Sequence, residues 1–218
     1  MLSVAEFAGA VGVSVARARQ LAASGRVRAV KVGSQWVIAD SEVNRWRALP
    51  SRPMSERVAW TAAAMADGQS VDWLESSERS RLRKRLGSLV ESSDPMGQVQ
   101  AWMRSRGDVS WWHADTDSLP GLADRVRLSG VAIPSAGLSS GGLVEGYLLP
   151  GELESLVAEY WLVPAEPGSG EVVGRVSSFV PERVPRLMVA ADLADHRRSR
   201  EVAAAERLIG EVLEERLW

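Results

Sequence analysis

The first 49 residues carry the pattern that most limits what this chain can fold into: two short helices, a tight turn between them and a hairpin behind them. Ser3-Val4-Ala5-Glu6 is a capping box, in which Ser3 and Glu6 satisfy backbone N–H groups at the start of a helix that extends to Ala10. Val11-Gly12-Val13-Ser14 predicts a turn ending in a second N-cap. A second helix is therefore expected over residues 15–23.

A hairpin is predicted directly after these helices. Val27-Arg28-Ala29-Val30 and Gln35-Trp36-Val37-Ile38 are short apolar runs on either side of a turn over residues 31–34. Ser24-Gly25 ends the second helix, and Asp40 or Ser41 caps a further helix over residues 42–49. Two helices followed by a hairpin predict a winged helix-turn-helix, whose second helix enters a DNA major groove.

The same segment resembles a known family, the excisionase/MerR-like winged helix. The matching residues are Val11-Gly12-Val13-Ser14, Ser24-Gly25-Arg26, Ala29-Val30-Lys31-Val32-Gly33 and Trp36-Val37-Ile38. The resemblance implies that the second helix and the wing bind DNA. The chain differs from the family at Val15 and Ala16, where basic or polar residues are usual, and at Ser34-Gln35, where the wing tip is often basic.

Candidate DNA contacts follow from this prediction. Arg17 and Arg19 can pair with guanine O6 and N7, and Gln20 with adenine N6 and N7. Cations that border the wing would contact phosphates instead. The full predicted set is Ser14, Arg17, Arg19, Gln20, Arg26, Arg28, Lys31, Ser34 and Gln35. Trp36 alternates with Val37 and Ile38, which favours a place in the core under the wing over a base-stacking role.

Charge is distributed unevenly along the chain. Residues 1–49 contain seven cations and three carboxylates, for a net charge of +4, and residues 50–107 contain nine and seven, for +2. Residues 108–218 contain ten cations and eighteen carboxylates, for −8. A basic N-terminal part and an acidic C-terminal part indicate an anionic partner for the former alone.

The middle of the chain is predicted to be helical. Pro50-Ser51-Arg52-Pro53 interrupts the chain, and helices are expected over residues 55–66, over 76–90 and from Asp94-Pro95 towards Gly107. The second of these carries a basic run made of Arg79, Arg81, Arg83, Lys84 and Arg85. The run is either a solvated face paired with Glu75 and Glu78 or an additional surface for DNA phosphates.

Strands and helices alternate after Gly107. Strands are predicted over residues 109–114, 126–129, 144–149, 172–176 and 187–191, and helices over 119–125, 152–160 and 196–217. The predicted class is α+β, with a winged helix-turn-helix at 1–49, a helical connector at 50–107 and a mixed α/β partner-binding domain at 108–218. The apolar stripe of the 196–217 helix would pack on its own domain or form a dimer surface.

The sequence contains only weak candidates for a catalytic motif. His113, Asp115 and Asp117 alternate in a way that suits a hard divalent metal, but the same residues are typical of a loop before a helix. Gly137-Leu138-Ser139-Ser140-Gly141 has the spacing of a nucleophile elbow without a strand–turn–helix setting, which favours a loop. The chain has no cysteine. We therefore expect a protein that is not an enzyme and takes no cofactor.

A second resemblance spans more of the chain and points to the abortive-infection (AbiEi-type) antitoxins of type IV toxin–antitoxin systems. The similar segments are Arg52-Pro53-Met54-Ser55, Ala59-Trp60, residues 77–83, Val144-Glu145-Gly146-Tyr147, residues 156–164 and residues 190–194. The resemblance implies that an N-terminal domain binds operator DNA and represses its own operon. It also implies that a C-terminal domain counters a nucleotidyltransferase-like toxin.

The sequence therefore predicts a cytoplasmic DNA-binding transcriptional regulator, an autorepressing antitoxin with double-stranded DNA and a protein as partners. A homodimer is expected, because one small module covers too little DNA for a tight specific site. No membrane partner is expected, since no apolar run has the length of a membrane helix. The alternatives are an excisionase-like architectural DNA-binding protein and a metal-dependent enzyme using His113, Asp115 and Asp117.

Overall fold

A computed structural model describes residues 1–24, 27–39, 42–43 and 52–218 of the chain. The chain divides into two compact units, Met1–Pro50 and Ser51–Trp218. The described residues combine helices with two separate sheets, as the predicted α+β class requires. No helix in these ranges is both long and apolar enough to cross a membrane.

Local capping signals set the helices of the N-terminal unit. Ser3 and Glu6 form the predicted capping box at the start of α1, and Gly12 ends that helix with a φ of 69°. The Ser14 side chain caps α2 by accepting a hydrogen bond from the Arg17 backbone N–H at 3.2 Å. The elements are β1 (Leu2–Ser3), α1 (Val4–Val11), α2 (Val15–Ala23), β2 (Ala29–Val32) and β3 (Gln35–Ile38).

The hairpin prediction is confirmed, but its turn is shorter than expected. Val32 pairs with Gln35, so only Gly33 and Ser34 form the turn, and Gly33 adopts the φ of 60° that such a turn requires. Lys31 therefore belongs to the strand and not to the turn. β3 also pairs with β1, giving an antiparallel sheet in the order β1-β3-β2. The predicted helix over 42–49 and its caps Asp40 and Ser41 lie mostly outside the described residues.

The second unit begins with helices and continues into a mixed sheet. Its helices are α3 (Glu56–Ala66), α4 (Ser76–Val90), α5 (Pro95–Trp102), α6 (Leu119–Ala123), α7 (Glu152–Tyr160), α8 (Arg186–His196) and α9 (Ser199–Glu215). Its strands are β4 (Asp108–His113), β5 (Arg127–Leu128), β6 (Val144–Leu148), β7 (Val163–Pro164) and β8 (Val172–Val176). The sheet order is β5-β6-β8-β4-β7, with β6 and β8 parallel and the other pairs antiparallel.

Helices cover both faces of this sheet. On one face, Val144, Leu148 and Val172 pack with Leu122 of α6 and Leu156 of α7. On the other face, the core contains Trp60 of α3, Leu86 of α4, Tyr147 of β6, Leu187 of α8 and Leu208 of α9. The segments predicted as a connector at 50–107 and a domain at 108–218 therefore share one hydrophobic core.

Two predictions for the C-terminal region are wrong. Residues 187–191 form the centre of α8 and not a strand, because Leu187 to Ala194 are buried on every side of that helix. A short apolar run has the same appearance in a buried helix and in a buried strand. The closing helix begins at Ser199 and not at His196, because Arg197 takes a left-handed φ of 58° and ends α8.

The apolar stripe of the closing helix is packed within its own unit. Ala204, Ala205, Leu208, Ile209 and Val212 of α9 are buried in the core shared with α8. These residues are thus unavailable as the dimer surface that was the alternative expectation.

Candidate functional site

Helix α2 of the N-terminal unit presents a polar side and an apolar side. Ala18, Leu21 and Ala22 are buried in the small core of this unit. Arg17, Arg19 and Gln20, with the capping residue Ser14, are exposed. The helix is therefore fixed by its apolar side while its predicted DNA-contacting residues remain accessible.

Two of these residues contact each other. The Arg17 Nη1 donates to Gln20 Oε1 at 2.8 Å, which is one turn of the helix away. This bond occupies the amide oxygen of Gln20 and leaves its amide nitrogen free to donate. The contact also restricts the Arg17 guanidinium, so that less side-chain entropy is lost when either residue binds a base edge.

The hairpin supplies the remaining predicted residues. Arg28, Lys31, Ser34 and Gln35 are all exposed. Trp36 is half-buried and packs against the small core, which confirms its prediction as a core residue. Arg26 lies outside the described residues. The exposed surface is not wholly polar, because Val15, Val30 and Val32 are 44%, 57% and 61% exposed.

Three exposed cations of the N-terminal unit have no partner among the described residues. Within the described ranges, Arg19, Arg28 and Lys31 form no ion pair and no side-chain hydrogen bond. Free cations on an exposed surface produce a positive potential that attracts phosphate groups.

The basic run on α4 of the second unit is only partly available. The Arg85 guanidinium stacks over Trp102, 5.3 Å from the ring centroid, and donates to the Arg52 carbonyl at 3.1 Å. Burial lowers the pKa of Arg85. Arg79 donates to the Val71 carbonyl, and Glu78 pairs with Arg57 and not with the run. Arg81, Arg83 and Lys84 remain exposed.

The alternating residues after β4 do not form a shared ligand set. Asp115 Oδ1 accepts a hydrogen bond from the Asp117 backbone N–H at 2.9 Å and so caps a short turn. His113 Nδ1 lies 3.4 Å from Glu171 Oε2 on the exposed surface. Across the described ranges, no group of three or more His, Asp or Glu side chains is placed to hold a metal ion. The Gly137–Gly141 motif lies in the connection between a short turn and β6, as expected for a loop.

The most distinctive polar site was missed by sequence reasoning and lies inside the second unit. Asp192 of α8 is fully buried and accepts hydrogen bonds from Arg106 Nε at 2.7 Å and from the Tyr147 hydroxyl at 3.0 Å. The Ser129 hydroxyl donates to its other carboxylate oxygen, and Arg175 Nε lies 3.2 Å from the first. Both arginines also contact the half-exposed Asp195.

Glu145 forms the second half of this buried network. Its Oε1 accepts from Arg175 Nη1 at 2.7 Å, and its Oε2 lies 2.7 Å from His196 Nε2 and accepts from the Val131 backbone N–H at 3.2 Å. Gly130 adopts a φ of 54°, and a Cβ at this position would lie 1.9 Å from Glu145 Oε2. Glycine is therefore required next to this carboxylate.

The cationic and anionic side chains of this network offset each other's charge. Burial alone would raise the pKa of Asp192, but Arg175 and Arg106 hold that pKa below its usual value. Burial and the Asp192 charge raise the pKa of Tyr147, so this hydroxyl remains a donor. The hydrogen bond to Glu145 raises the pKa of His196. The side chains of Arg106, Arg175 and His196 thus face the carboxyl groups of Asp192, Asp195 and Glu145.

No single segment of sequence identifies this network. Its members come from residue 106, from two strands, from the turn at 129–131 and from α8, so they are distributed over 91 positions from Arg106 to His196. The one local signal is a polar residue within an otherwise apolar run, Asp192 in Leu187 to Ala194. The buried side chains of Asp192, Glu145, Arg106 and Arg175 are paired with one another, which suits a structural role in orienting α8 on the sheet.

The pKa shift of His196 gives a pH dependence. A histidine whose pKa is raised by folding stabilises the protein fully below its unfolded pKa of 6.5, and this contribution is lost as the pH rises through the folded pKa. We expect the difference in free energy of unfolding between wild type and His196→Gln to decrease as the pH increases from 6 to 9. Chemical denaturation at several pH values measures it.

The matched control for this pH dependence is His113→Gln, because the His113 side chain is 52% exposed. This substitution should change the free energy of unfolding by less than about 1 kcal/mol, because an exposed pair contributes little. Parallel profiles for His196→Gln and wild type would show instead that His196 is not charged in the network.

Comparison with known protein families, with curated proteins and with solved structures finds no match to this chain.

Proposed function

We propose that this chain is a DNA-binding transcriptional regulator whose residues 1–49 act as a winged helix-turn-helix. The observation that carries the proposal is the arrangement of α2. Its apolar side is buried in the small core, and its opposite side exposes Arg17, Arg19 and Gln20. The exposed cations Arg28 and Lys31 on the adjoining hairpin support the same function.

In this proposal the two groups of residues have different tasks. Arg17, Arg19 and Gln20 read base edges in the major groove, where a good bidentate contact is worth about 1–3 kcal/mol of discrimination. Arg26, Arg28 and Lys31 contact phosphates and set the position of the protein without reading sequence. Ser14, Ser34 and Gln35 add polar contacts at the helix start and the wing tip.

We further propose that the regulator is an antitoxin that represses its own operon. The second unit would bind a protein, for which the AbiEi-type resemblance suggests a nucleotidyltransferase-like toxin. The net charge of −8 over residues 108–218 makes a DNA contact by this part unfavourable and supports a protein partner. Two copies in the cytoplasm would bind paired half-sites about one helical turn apart, as dimeric helix-turn-helix proteins do.

Arginine substitutions on α2 and on the hairpin test the function. With a preferred site selected from random-sequence DNA, Arg17→Ala and Arg19→Ala should each lose about 1–3 kcal/mol of discrimination between that site and random DNA. Arg28→Ala should weaken both complexes equally, as the loss of a phosphate contact does. Fluorescence anisotropy with labelled duplexes of both kinds measures these affinities.

The salt dependence of the DNA affinity tests whether contacts to phosphates dominate binding. With roughly four to six phosphate contacts per protomer, affinity should fall about a hundredfold or more between 50 and 200 mM salt. Glu6→Gln is not a neutral control because Glu6 belongs to the capping box, whereas Glu206→Gln changes an exposed residue of the second unit. Absence of DNA binding at 50 mM salt would refute the regulator proposal.

A further inference from the structure

An exposed apolar strip lies at the edge of the large sheet. Trp161 is 86% exposed, and Val163 and Val109 are 58% and 54% exposed. Val163 pairs with His113 across β7 and β4, and alternation along β4 places Val109, Trp111 and His113 on the same face as Val163. Trp161 lies two residues before Val163 in the chain, at the end of α7. We call Val109, Trp111, His113, Trp161 and Val163 the edge strip.

The backbone of Trp161 is unfavourable for its side chain. Trp161 follows α7 with a left-handed φ of 55°, a position in which glycine is preferred. Arg197 and Arg216 take the same conformation after α8 and α9, but a cation gains stability from the dipole at a helix C-terminus. The Trp161 backbone closes the end of α7, where the Trp161 and Leu162 N–H groups both donate to the Val157 carbonyl. Its indole contributes little to this helix end, because the side chain remains exposed to water.

The surroundings of the edge strip are acidic. Between Arg127 and Arg175 the chain contains no lysine, arginine or histidine. Arg125 and Arg127 are themselves paired with Glu159 and Glu152. Asp108, Asp115 and Glu166, which flank β4 and β7, are exposed. Exposed carboxylates beside a stretch that contributes no cation repel nucleic acid and attract a positively charged protein.

The outer strand of this sheet, β7, is poorly suited to pairing with a further strand. β7 is the outermost strand of the sheet, it has only two residues, and its second residue is Pro164, which has no N–H to donate. A partner at β7 therefore binds through side chains. An exposed tryptophan among smaller apolar residues is the composition of an interface hot spot.

We propose that the edge strip is the docking surface for a different protein that has an apolar pocket for the Trp161 indole and a rim of lysine and arginine side chains. The inference rests on the proposed function, in which the second unit binds a protein, and it specifies the surface and the chemistry of that partner. Trp161 enters the pocket, and Asp108, Asp115 and Glu166 face the basic rim.

Site-specific crosslinking in the full-length chain tests this surface. A photoreactive benzoylphenylalanine replaces Trp161 in cells that naturally make the protein, and the matched control carries it at Trp73, which is 64% exposed elsewhere in the second unit. We expect one heterologous protein, identified by mass spectrometry, to crosslink through a lysine- and arginine-rich segment from position 161 and not from position 73. That protein is then purified for titration.

In the titration, Trp161→Ala should weaken the purified complex at least about thirtyfold, the effect of removing a hot-spot residue. Trp73→Ala should leave the affinity unchanged, and raising the salt from 50 to 500 mM should weaken binding. Trp161→Gly should weaken binding to the same extent while the melting temperature stays equal or rises, since glycine suits the left-handed position. That pairing of retained stability with lost binding excludes misfolding as the cause.

Several outcomes would overturn the proposal. These are crosslinks only to a second copy of this chain, crosslinks to nucleic acid, no crosslink above the Trp73 control, or a partner whose affinity does not depend on Trp161. DNA binding by the same variants is measured in parallel and should be unchanged. If the wild-type protein does not bind DNA, only the proposed regulator function is refuted. If Trp161→Ala binds the protein partner as tightly as wild type does, only the proposal for the edge strip is refuted.

Discussion

Asp192→Ala should lower the free energy of unfolding by about 3–5 kcal/mol, the usual result when one partner of a buried ion network is removed. The substitution leaves Arg106 and Arg175 without their shared carboxylate, and their side chains are only 6% and 7% exposed. The hydroxyls of Tyr147 and Ser129 lose their acceptor as well. Urea denaturation of the full-length protein measures the change.

Asp195→Ala is the matched control for this substitution. Asp195 contacts the same two arginines, but its side chain is 49% exposed, so water replaces the lost contacts. An exposed pair of this kind contributes about 0–1 kcal/mol. A loss below about 1 kcal/mol for Asp192→Ala as well would mean that the network does not hold α8 on the sheet.

Trp60→Ala should destabilise the second unit by about 3–5 kcal/mol, as expected for a fully buried tryptophan. Trp60 of α3 meets Tyr147 of β6 edge to face, with ring centroids 4.8 Å apart. Its indole Nε1 donates to the Arg106 carbonyl at 2.8 Å. The residue therefore joins the helical segment to the sheet and to the charge network.

Two variants separate these contributions. Trp60→Phe keeps an aromatic ring and removes the indole hydrogen bond, leaving the Arg106 carbonyl unpaired at a loss of about 1–3 kcal/mol. Trp73→Ala removes an exposed tryptophan and should change stability by less than about 0.5 kcal/mol. Because residues from both segments share one core, Ser51–Trp218 should unfold in a single transition. Separate transitions for 52–107 and 108–218 would contradict this.

Substitutions in the buried core and substitutions on the exposed side of α2 and the hairpin should affect different properties. Asp192 and Trp60 are buried, so their replacement should reduce the amount of folded protein. Under the proposed function, it should not change the affinity of the folded protein for DNA. Arg17, Arg19 and Arg28 are exposed, so their replacement should change DNA affinity with little effect on unfolding. A regulator with these properties would show independent responses to the two kinds of variant.

The sequence by itself determined those elements whose signals lie within a few residues of each other. Ser3 and Glu6 predicted the start of α1, and Ser14 predicted the start of α2, because each cap acts on backbone groups two or three residues away. The leucine stripe of α4 and the hairpin around Gly33 were found for the same reason. The exposure of Arg17, Arg19 and Gln20 also followed from helical periodicity alone.

Only the tertiary structure decided features that depend on residues distant in sequence. Residues 187–191 are helical because α8 is buried on all sides by helices and the sheet. The apolar run alone does not show whether it will be buried as a helix or as a strand. The only local signal at Asp192 is its position inside an apolar run, and that signal does not identify its partners. Its role arises when folding brings Arg106, Ser129, Tyr147 and Arg175 around it, because burial without these partners would be too unfavourable for an ionised carboxylate.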